Sequence, residues 1–241
     1  MTFCIAIKVE EGLVALSDSR LTSGTEVATA RKVSMHNQGK YPLFFMTSGL
    51  RSVRDKAITY FDEQMDEAWS NIDKTYKAAN QLADQIRKVA AEDKCALAES
   101  GLPFDLHSIV GGQLKKDDEH RLYLIYPQAN WVEITRETPY QIIGESGYGK
   151  SLLDLALTYE SSMELALKTA FLAFDATRRC ASHVDFPIDV VIYRKDSHIM
   201  LHHEYEKGDL LSVSEWWQNR VRHSLDELPD DWIKGIMEKT T

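Results

Sequence analysis

The chain has 241 residues, 44% hydrophobic and 27% charged, with 12 Gly and 6 Pro, a composition that supports a buried core and excludes a disordered, collagen-like or low-complexity protein. Lys plus Arg number 28 against 37 Asp plus Glu, a net charge of −9 that is the wrong sign for a protein binding nucleic acid by neutralising phosphates. No run approaches the ~18 apolar residues of a membrane span, and the N-terminus lacks a secretory pattern. The three cysteines, Cys4, Cys95 and Cys180, share no CxxC spacing and leave one unpaired in any disulfide scheme. These features together predict a cytoplasmic protein with no membrane partner and no nucleic-acid partner.

In chain order, residues 3–9 alternate, 12–17 are apolar, 32–35 are brief and 43–47 are apolar and end in Ser48-Gly49, which reads as four strands. Glu10 and Glu11 before Gly12 make a hairpin turn. From Ser52 the spacing becomes helical, with Val53, Ala57, Tyr60, Phe61 and Met65 on one face, and a second helix over 78–91 repeats Leu82, Ile86 and Val89. Strands return at 107–110, 121–126, 131–135 and 140–143. A second helical pair follows over 150–159 and 163–180, then a hairpin over 188–193 and 199–203 and an amphipathic C-terminal region. Strands joined by short turns pair antiparallel, so the order ββββ αα ββββ αα ββ α predicts an α+β fold: a four-layer αββα sandwich of two antiparallel sheets, each covered by a helix pair. No linker divides the chain. It reads as a single domain over 1–241, with a C-terminal helical extension from about residue 211.

Gly144-Glu145-Ser146-Gly147-Tyr148-Gly149-Lys150-Ser151 fits the phosphate-binding pattern GxxxxGK[ST], with Lys150 at the position that reaches the terminal phosphates and Ser151 at the one that binds magnesium. A P-loop is expected on a mostly parallel sheet, and here hairpins flank the motif on both sides. The favoured reading is a tight strand-to-helix turn with no nucleotide; a P-loop nucleotide binder at Gly144 to Ser151 is the third-ranked alternative.

The N-terminus carries a more specific constellation. If Met1 is removed, Thr2 has a free α-amine beside its own hydroxyl, and an amine of pKa about 7.7–8.0 can accept the hydroxyl proton near neutrality, so one residue supplies nucleophile and base. Such a pair needs a fixed cation, a carboxylate to hold that cation and N–H donors for the oxyanion. Asp18 stands at the end of the second strand in Ser17-Asp18-Ser19-Arg20, Lys32 opens the third, and Gly49 ends the fourth ahead of a helix.

With that spacing of Thr2, Asp18 and Lys32, the Asp-x-Arg pattern and the Ser-Gly ahead of a helix, the chain resembles the proteasome family of N-terminal nucleophile hydrolases, and most closely its bacterial proteasome-like members. The resemblance covers nearly the whole chain and implies the same layered fold. It implies Thr2 as nucleophile, Lys32 favouring the ionised hydroxyl, Asp18 orienting Lys32, the Gly49 N–H at the oxyanion, and Ser146 as a supporting hydroxyl near the amine. Where the family shows Arg-Asp with a Ser three residues after the Asp, this chain has Arg178-Arg179-Cys180-Ala181-Ser182. Ser182 therefore matches while Arg179 replaces the Asp, with Asp185 or Asp175 as candidates to fill the gap.

The resemblance further implies a threonine-type peptidase or amide hydrolase acting on peptide or protein substrates inside a homo-oligomer, ring or spiral, with a dodecamer among its forms and no cofactor. A catalytically weak or inactive assembly or scaffold protein is the second reading. Of the other notable residues, His198, His202 and His203 lack a matching ligand set for a metal, and Cys4 shares strand parity with Thr2 but reads as a buried small hydrophobe. Trp216, Trp217 and Trp232 in the tail suit either the chain's own core or an intersubunit contact.

Overall fold

The computed structural model describes residues 2–23, 26–38, 41–69 and 72–238. It divides into two compact units, one ending at Tyr205 and one beginning at Glu206. The first holds two five-stranded antiparallel sheets. One has the order β10-β1-β2-β11-β12, built from Tyr140–Gly144, Phe3–Val9, Gly12–Asp18, Ile188–Arg194 and Met200–Tyr205. The other has the order β5-β6-β7-β8-β9, built from Val33–Gln38, Tyr41–Gly49, Leu106–Gly112, Arg121–Ile125 and Trp131–Glu133. A hairpin of β3 (Arg20–Ser23) and β4 (Glu26–Thr29) stands between β2 and β5.

The layers follow from which faces are apolar. Residues 3–9 and 12–18 are buried at every position, because these central strands face the other sheet on one side and a helix on the other. Cys4, Ala6, Leu13 and Ala15 meet Phe44, Met46, Ile109 and Leu124 in the core between the sheets. On the outer face of the β5–β9 sheet, α1 (Arg51–Ala68) and α2 (Thr75–Glu99) press Val53, Phe61, Leu82 and Ile86 onto Phe45 and Val110. The other sheet is covered by α4 (Met163–Cys180), beside the short α3 (Lys150–Ala156). Burying each large apolar side chain contributes roughly 1.5–3 kcal/mol, which is what holds four layers together.

Helix α4 begins where the Ser162 hydroxyl accepts the Leu165 N–H at 3.2 Å, and its Ala166, Ala170 and Ala173 allow close approach. A Cβ at Gly149 would lie 2.8 Å from the Cβ of Ala173, so the turn before α3 is pressed onto α4. Among the described residues, the buried Lys and Asp side chains each have a partner of opposite charge. Lys8 on β1 is 2% exposed and ion-paired with Glu119 at 3.1 Å.

The architecture is the α+β sandwich expected from the element order, and besides shifts of a few residues at element ends, such as α3 closing at Ala156, it differs from that expectation as follows. The β3–β4 hairpin was not anticipated, because Thr, Ser and charged residues replace apolar alternation there. The two long helices start earlier and end later than their apolar stripes, since polar residues continue a helix once its core face is anchored. The C-terminal helices, α5 (Lys207–Asp226) and α6 (Asp231–Met237), begin four residues before the expected 211, at a capping box in which Glu206 and Asp209 reciprocally cap. In that second unit Trp216 is 62% and Trp232 70% exposed. Among the described residues no helix is long and apolar enough to cross a membrane.

Candidate active site

Thr2 precedes β1 and is buried. The peptide that follows it is held at both ends: the Thr2 carbonyl accepts the Glu145 N–H at 2.7 Å, and the Phe3 N–H donates to Asp18 Oδ1 at 2.8 Å. Met1 lies outside the described residues. The close approach of the 144–145 peptide depends on Gly144, whose φ is +88° and whose missing Cβ would fall on the Thr2 carbonyl.

Asp18 ends β2, and its carboxylate is fully enclosed. Lys32 Nζ lies 2.7 Å from Asp18 Oδ1 and donates to the Arg20 carbonyl at 2.7 Å, so two of its three N–H donors are fixed. Burial pushes the Asp18 carboxyl above its ordinary value, while Lys32 and the Phe3 N–H pull it back. An ammonium in hydrogen-bond contact keeps such a carboxylate ionised, and the pair is sealed, with side chains 1% and 0% exposed. Lys32 also pairs by backbone with Thr47, whose N–H donates to the Lys32 carbonyl at 3.0 Å.

That same bond fixes the direction of Gly49. In an antiparallel ladder successive residues bond to opposite neighbours, and the Leu50 N–H bonds the Asp105 carbonyl beyond β7. The Gly49 N–H therefore turns away from β7, toward the side on which Lys32 lies. Gly49 has φ +141°, and a Cβ there would collide with the Asp105 carbonyl. With Ser48, Gly144, Ser146 and Tyr126 it lines a cleft of about 600 Å³, while a second cleft of about 530 Å³ is lined by Lys32, Thr47, Ser34, Arg54 and His202.

Ser146 is exposed at the rim of the first cleft, and Ser182 is exposed in the turn after α4. Neither side chain has a hydrogen bond among the described residues. Asp185 takes an ion pair from Arg20 at 3.1 Å and accepts the Phe186 N–H at 3.0 Å. It is thus joined to Lys32 through Arg20, whose carbonyl Lys32 bonds. Asp175 is held by Arg178 and Arg179 on its own helix, at 2.6 and 3.0 Å, and so belongs to the C-terminal turn of α4.

Two groups escaped the sequence reading. Asp189, 1% exposed on β11, accepts the Ser19 hydroxyl at 2.6 Å and meets His202 Nε2 at 2.7 Å and Arg31 at 3.6 Å. It braces the residue next to Asp18. His183, one residue past Ser182, lies 3.7 Å from Glu145, whose N–H holds the Thr2 carbonyl; burial keeps its imidazole below the ordinary value. The signal for Asp189 was an Asp inside the apolar strand IDVVIYR, since a buried carboxylate requires partners.

The glycine run at 144–151 serves this geometry. Lys150 donates to the Tyr140 hydroxyl at 2.7 Å and to both Asp154 oxygens at 3.0 Å, and Tyr140 also donates to Asp154. The strand before it, β10, pairs antiparallel with β1, with Phe3 opposite Gly144. Cys4 is buried, its thiol pushed up by desolvation, with Sγ 3.9 Å from the Thr47 carbonyl.

No protein-family model matches the chain, and no curated protein does. Solved structures do. The chain is 30% identical to Anbu from Pseudomonas aeruginosa, solved as a helical assembly of the Anbu complex, over 95% of this chain and 97% of that one, with a TM-score of 0.88. It is 28% identical to Anbu, the ancestral beta-subunit, from Yersinia bercovieri, over 95% and 98%, with a TM-score of 0.86. A Gly-1 mutant of Anbu from Hyphomicrobium sp. strain MC1 gives 27% identity over 95% and 99%, with a TM-score of 0.87. With the Thr2–Phe3 peptide bonded to Asp18 of a sealed Asp18–Lys32 pair, and an architecture shared along 95% of its length, the chain belongs to the Anbu family of proteasome-like proteins.

Proposed function

We propose that the protein is a threonine-type N-terminal nucleophile hydrolase of peptide or amide bonds, with Thr2 as nucleophile once Met1 has been removed. The observation that carries this reading is the buried Lys32–Asp18 pair at 2.7 Å, bonded through the Phe3 N–H to the peptide that Thr2 begins. A sealed ion pair costs desolvation and contributes little net stability, so its position at the Thr2–Phe3 peptide favours a chemical role. In this mechanism the Thr2 hydroxyl gives its proton to the free α-amine, directly or through water. Lys32 offers its third N–H to the developing alkoxide, and Asp18 and the Arg20 carbonyl hold Lys32 in place. The Thr2 oxygen attacks the scissile carbonyl, the Gly49 N–H receives the oxyanion, and the amine returns the proton to the leaving group. Water then repeats the sequence to release the acid. Ser146, Ser182 and Asp185 support the amine, Asp185 through Arg20.

The active form is a homo-oligomer, a reading supported by the helical assembly of the P. aeruginosa relative. The exposure of Ser146 and Ser182, without hydrogen bonds among the described residues, favours a second reading in which the fold is kept as a scaffold and the amine network is incomplete.

The deciding experiment combines intact mass with labelling by an epoxyketone, which engages hydroxyl and amine together. Loss of Met1 with an adduct on Thr2 that disappears in Lys32→Ala is the expected result. Met1 retained on all cellular protein sinks the peptidase mechanism, and a free Thr2 that resists labelling selects the scaffold.

A further inference from the structure

Beside Lys32, the second cleft contains a group of side chains that the Thr2 mechanism does not use. Ser34 and His36 occupy alternate positions on β5, and so point to one face, toward α1. Ser34 Oγ lies 2.9 Å from His36 Nε2, and His36 Nδ1 lies 3.1 Å from Asp62 Oδ1. The imidazole is wedged between Phe45 and Phe61, at ring-centroid distances of 4.7 and 5.5 Å, the latter edge-on, so its plane is fixed by packing. A carboxylate only accepts, so Nδ1 carries the proton; in the neutral ring Nε2 is then the lone pair that receives the Ser34 hydroxyl. Burial holds the His36 imidazole below its ordinary value against the pull of Asp62, keeping that lone pair available at neutral pH.

An acceptor for negative charge lies alongside. β5 is the outermost strand of its sheet, and because Lys32 bonds to Thr47, the alternate residues Lys32, Ser34 and His36 direct their backbone groups at β6. The Val33 and Met35 N–H groups therefore point off the open edge. Met35 follows Ser34, and the N–H of the residue after a nucleophile is a recurrent oxyanion donor. The space in front of Ser34 is the cleft of about 530 Å³, with Val33, Met35 and Ile58 among its walls. Its cationic walls are engaged, Lys32 by Asp18 at 2.7 Å, Arg54 by Asp55 at 2.6 Å and Arg31 by Asp189 at 3.6 Å, so the walls suit an uncharged group.

We propose that Ser34, His36 and Asp62 form a second nucleophilic centre, with its own nucleophile and base, in the cleft that borders Lys32, and that it hydrolyses short uncharged acyl esters. Ser34 Oγ bonds to the acyl carbon as its proton passes to His36 Nε2, and the Met35 N–H receives the oxyanion. The ester C–O bond breaks, and the departing alcohol oxygen takes the proton from His36. A water then adds to the acyl carbon, giving its proton to His36; the carboxylic acid leaves, and the proton returns to Ser34 Oγ. Asp62 is a positioning residue, holding the tautomer that this exchange needs.

The test uses the full chain, as the parent and as Thr2→Ala, treated with a fluorophosphonate and mapped by peptide mass spectrometry, with hydrolysis of p-nitrophenyl acetate followed in parallel. Expected is an adduct on Ser34 in both proteins, with a labelling rate that rises with pH through the His36 titration. The rate should fall at least about a hundredfold in His36→Gln. Should His36→Gln not fold, Asp62→Asn serves instead, because that side chain is 53% exposed and its loss spares the core; its labelling rate should fall about tenfold or more with the melting temperature unchanged. Absence of a Ser34 adduct in folded parent and Thr2→Ala protein overturns the proposal. So does a labelling rate that a folded His36→Gln or Asp62→Asn variant leaves unchanged. Both outcomes are read without Thr2, so they do not depend on whether Thr2 is active.

Discussion

On one flank of Thr2 three charged groups are enclosed and paired: Asp18 by Lys32 and the Phe3 N–H, Lys32 by Asp18 and the Arg20 carbonyl, and Asp189 by Ser19 and His202. On the flank formed by the 144–149 turn and the turn after α4, Ser146 and Ser182 are open, while Asp185 and Arg20 are each about a quarter exposed. On the first flank Asp18 and Asp189 sit in β2 and β11 of one sheet, with helix above and sheet below, and Lys32 sits just ahead of β5 of the other sheet, so these residues are positioned by the same packing that folds the chain. The second sits in connections, which the core does not constrain. A chemistry that needs a fixed cation and an adaptable entrance is served by this division, and the two flanks should respond differently to substitution.

The largest effect is expected at Asp18. Asp18→Ala leaves the Lys32 ammonium enclosed without its carboxylate, and breaking a buried pair in this way costs about 3–5 kcal/mol. Urea denaturation should show that loss, and a variant as stable as the parent would mean that the pair is not sealed. The enclosed character extends along β1 to His120, whose Nε2 bonds the Val9 carbonyl at 2.8 Å and whose pKa is pushed down to about 4 by burial and by Lys8. A depressed histidine favours the folded state above its unfolded value near 6.5, and that contribution is lost as pH falls toward 4, because the unfolded chain takes up the proton first. Stability should therefore drop by up to about 3 kcal/mol across this window. His120→Gln should flatten the slope, measured by paired denaturant melts at pH 7 and pH 4.5.

Gly144 joins the two flanks, and Gly144→Ala is expected to cost roughly 1–3 kcal/mol through its left-handed backbone, and to displace the 144–145 peptide from the Thr2 carbonyl. Thermal melting gives the first effect, and loss of epoxyketone labelling reports the second. Ser146→Ala and Ser182→Ala should shift stability by no more than about 0.5 kcal/mol, since both side chains are exposed and unbonded among the described residues. A change in Thr2 labelling rate at unchanged melting temperature would mark them as functional. If they destabilise as much as Gly144→Ala, the contrast between the flanks fails.

The layers were legible because their signals are local. The run of Leu165, Ala166, Thr169, Ala170, Ala173 and Phe174 marks α4, and uninterrupted apolar runs mark strands covered on both faces. The β3–β4 hairpin carries no such pattern. At the site, the positions of Thr2, Asp18 and Lys32 drew attention through their spacing and through resemblance, whereas Asp189 meets Ser19 across 170 residues of sequence and belongs to no motif. His36 was invisible for a similar reason: its partners are two residues away on a strand and 26 residues away on a helix, and only the packing of α1 on β5 brings them together. The GxxxxGK[ST] match misleads in the opposite direction. Glycines that let one backbone approach another look the same in sequence whether the neighbour is a phosphate or the carbonyl of Thr2.

The double hold on the Thr2–Phe3 peptide has a practical side. With the Thr2 carbonyl on Glu145 and the Phe3 N–H on Asp18, strand β1 has no freedom to slide outward, and residue 2 is only 7% exposed. A purification tag or fusion partner at the N-terminus would have to emerge from this enclosed point, crowding the 144–149 turn and denying the proposed mechanism the free Thr2 amine it requires. Recombinant protein for functional work should carry its tag after α6, and N-terminally tagged preparations should be compared with it before an inactive result is read as a property of the chain.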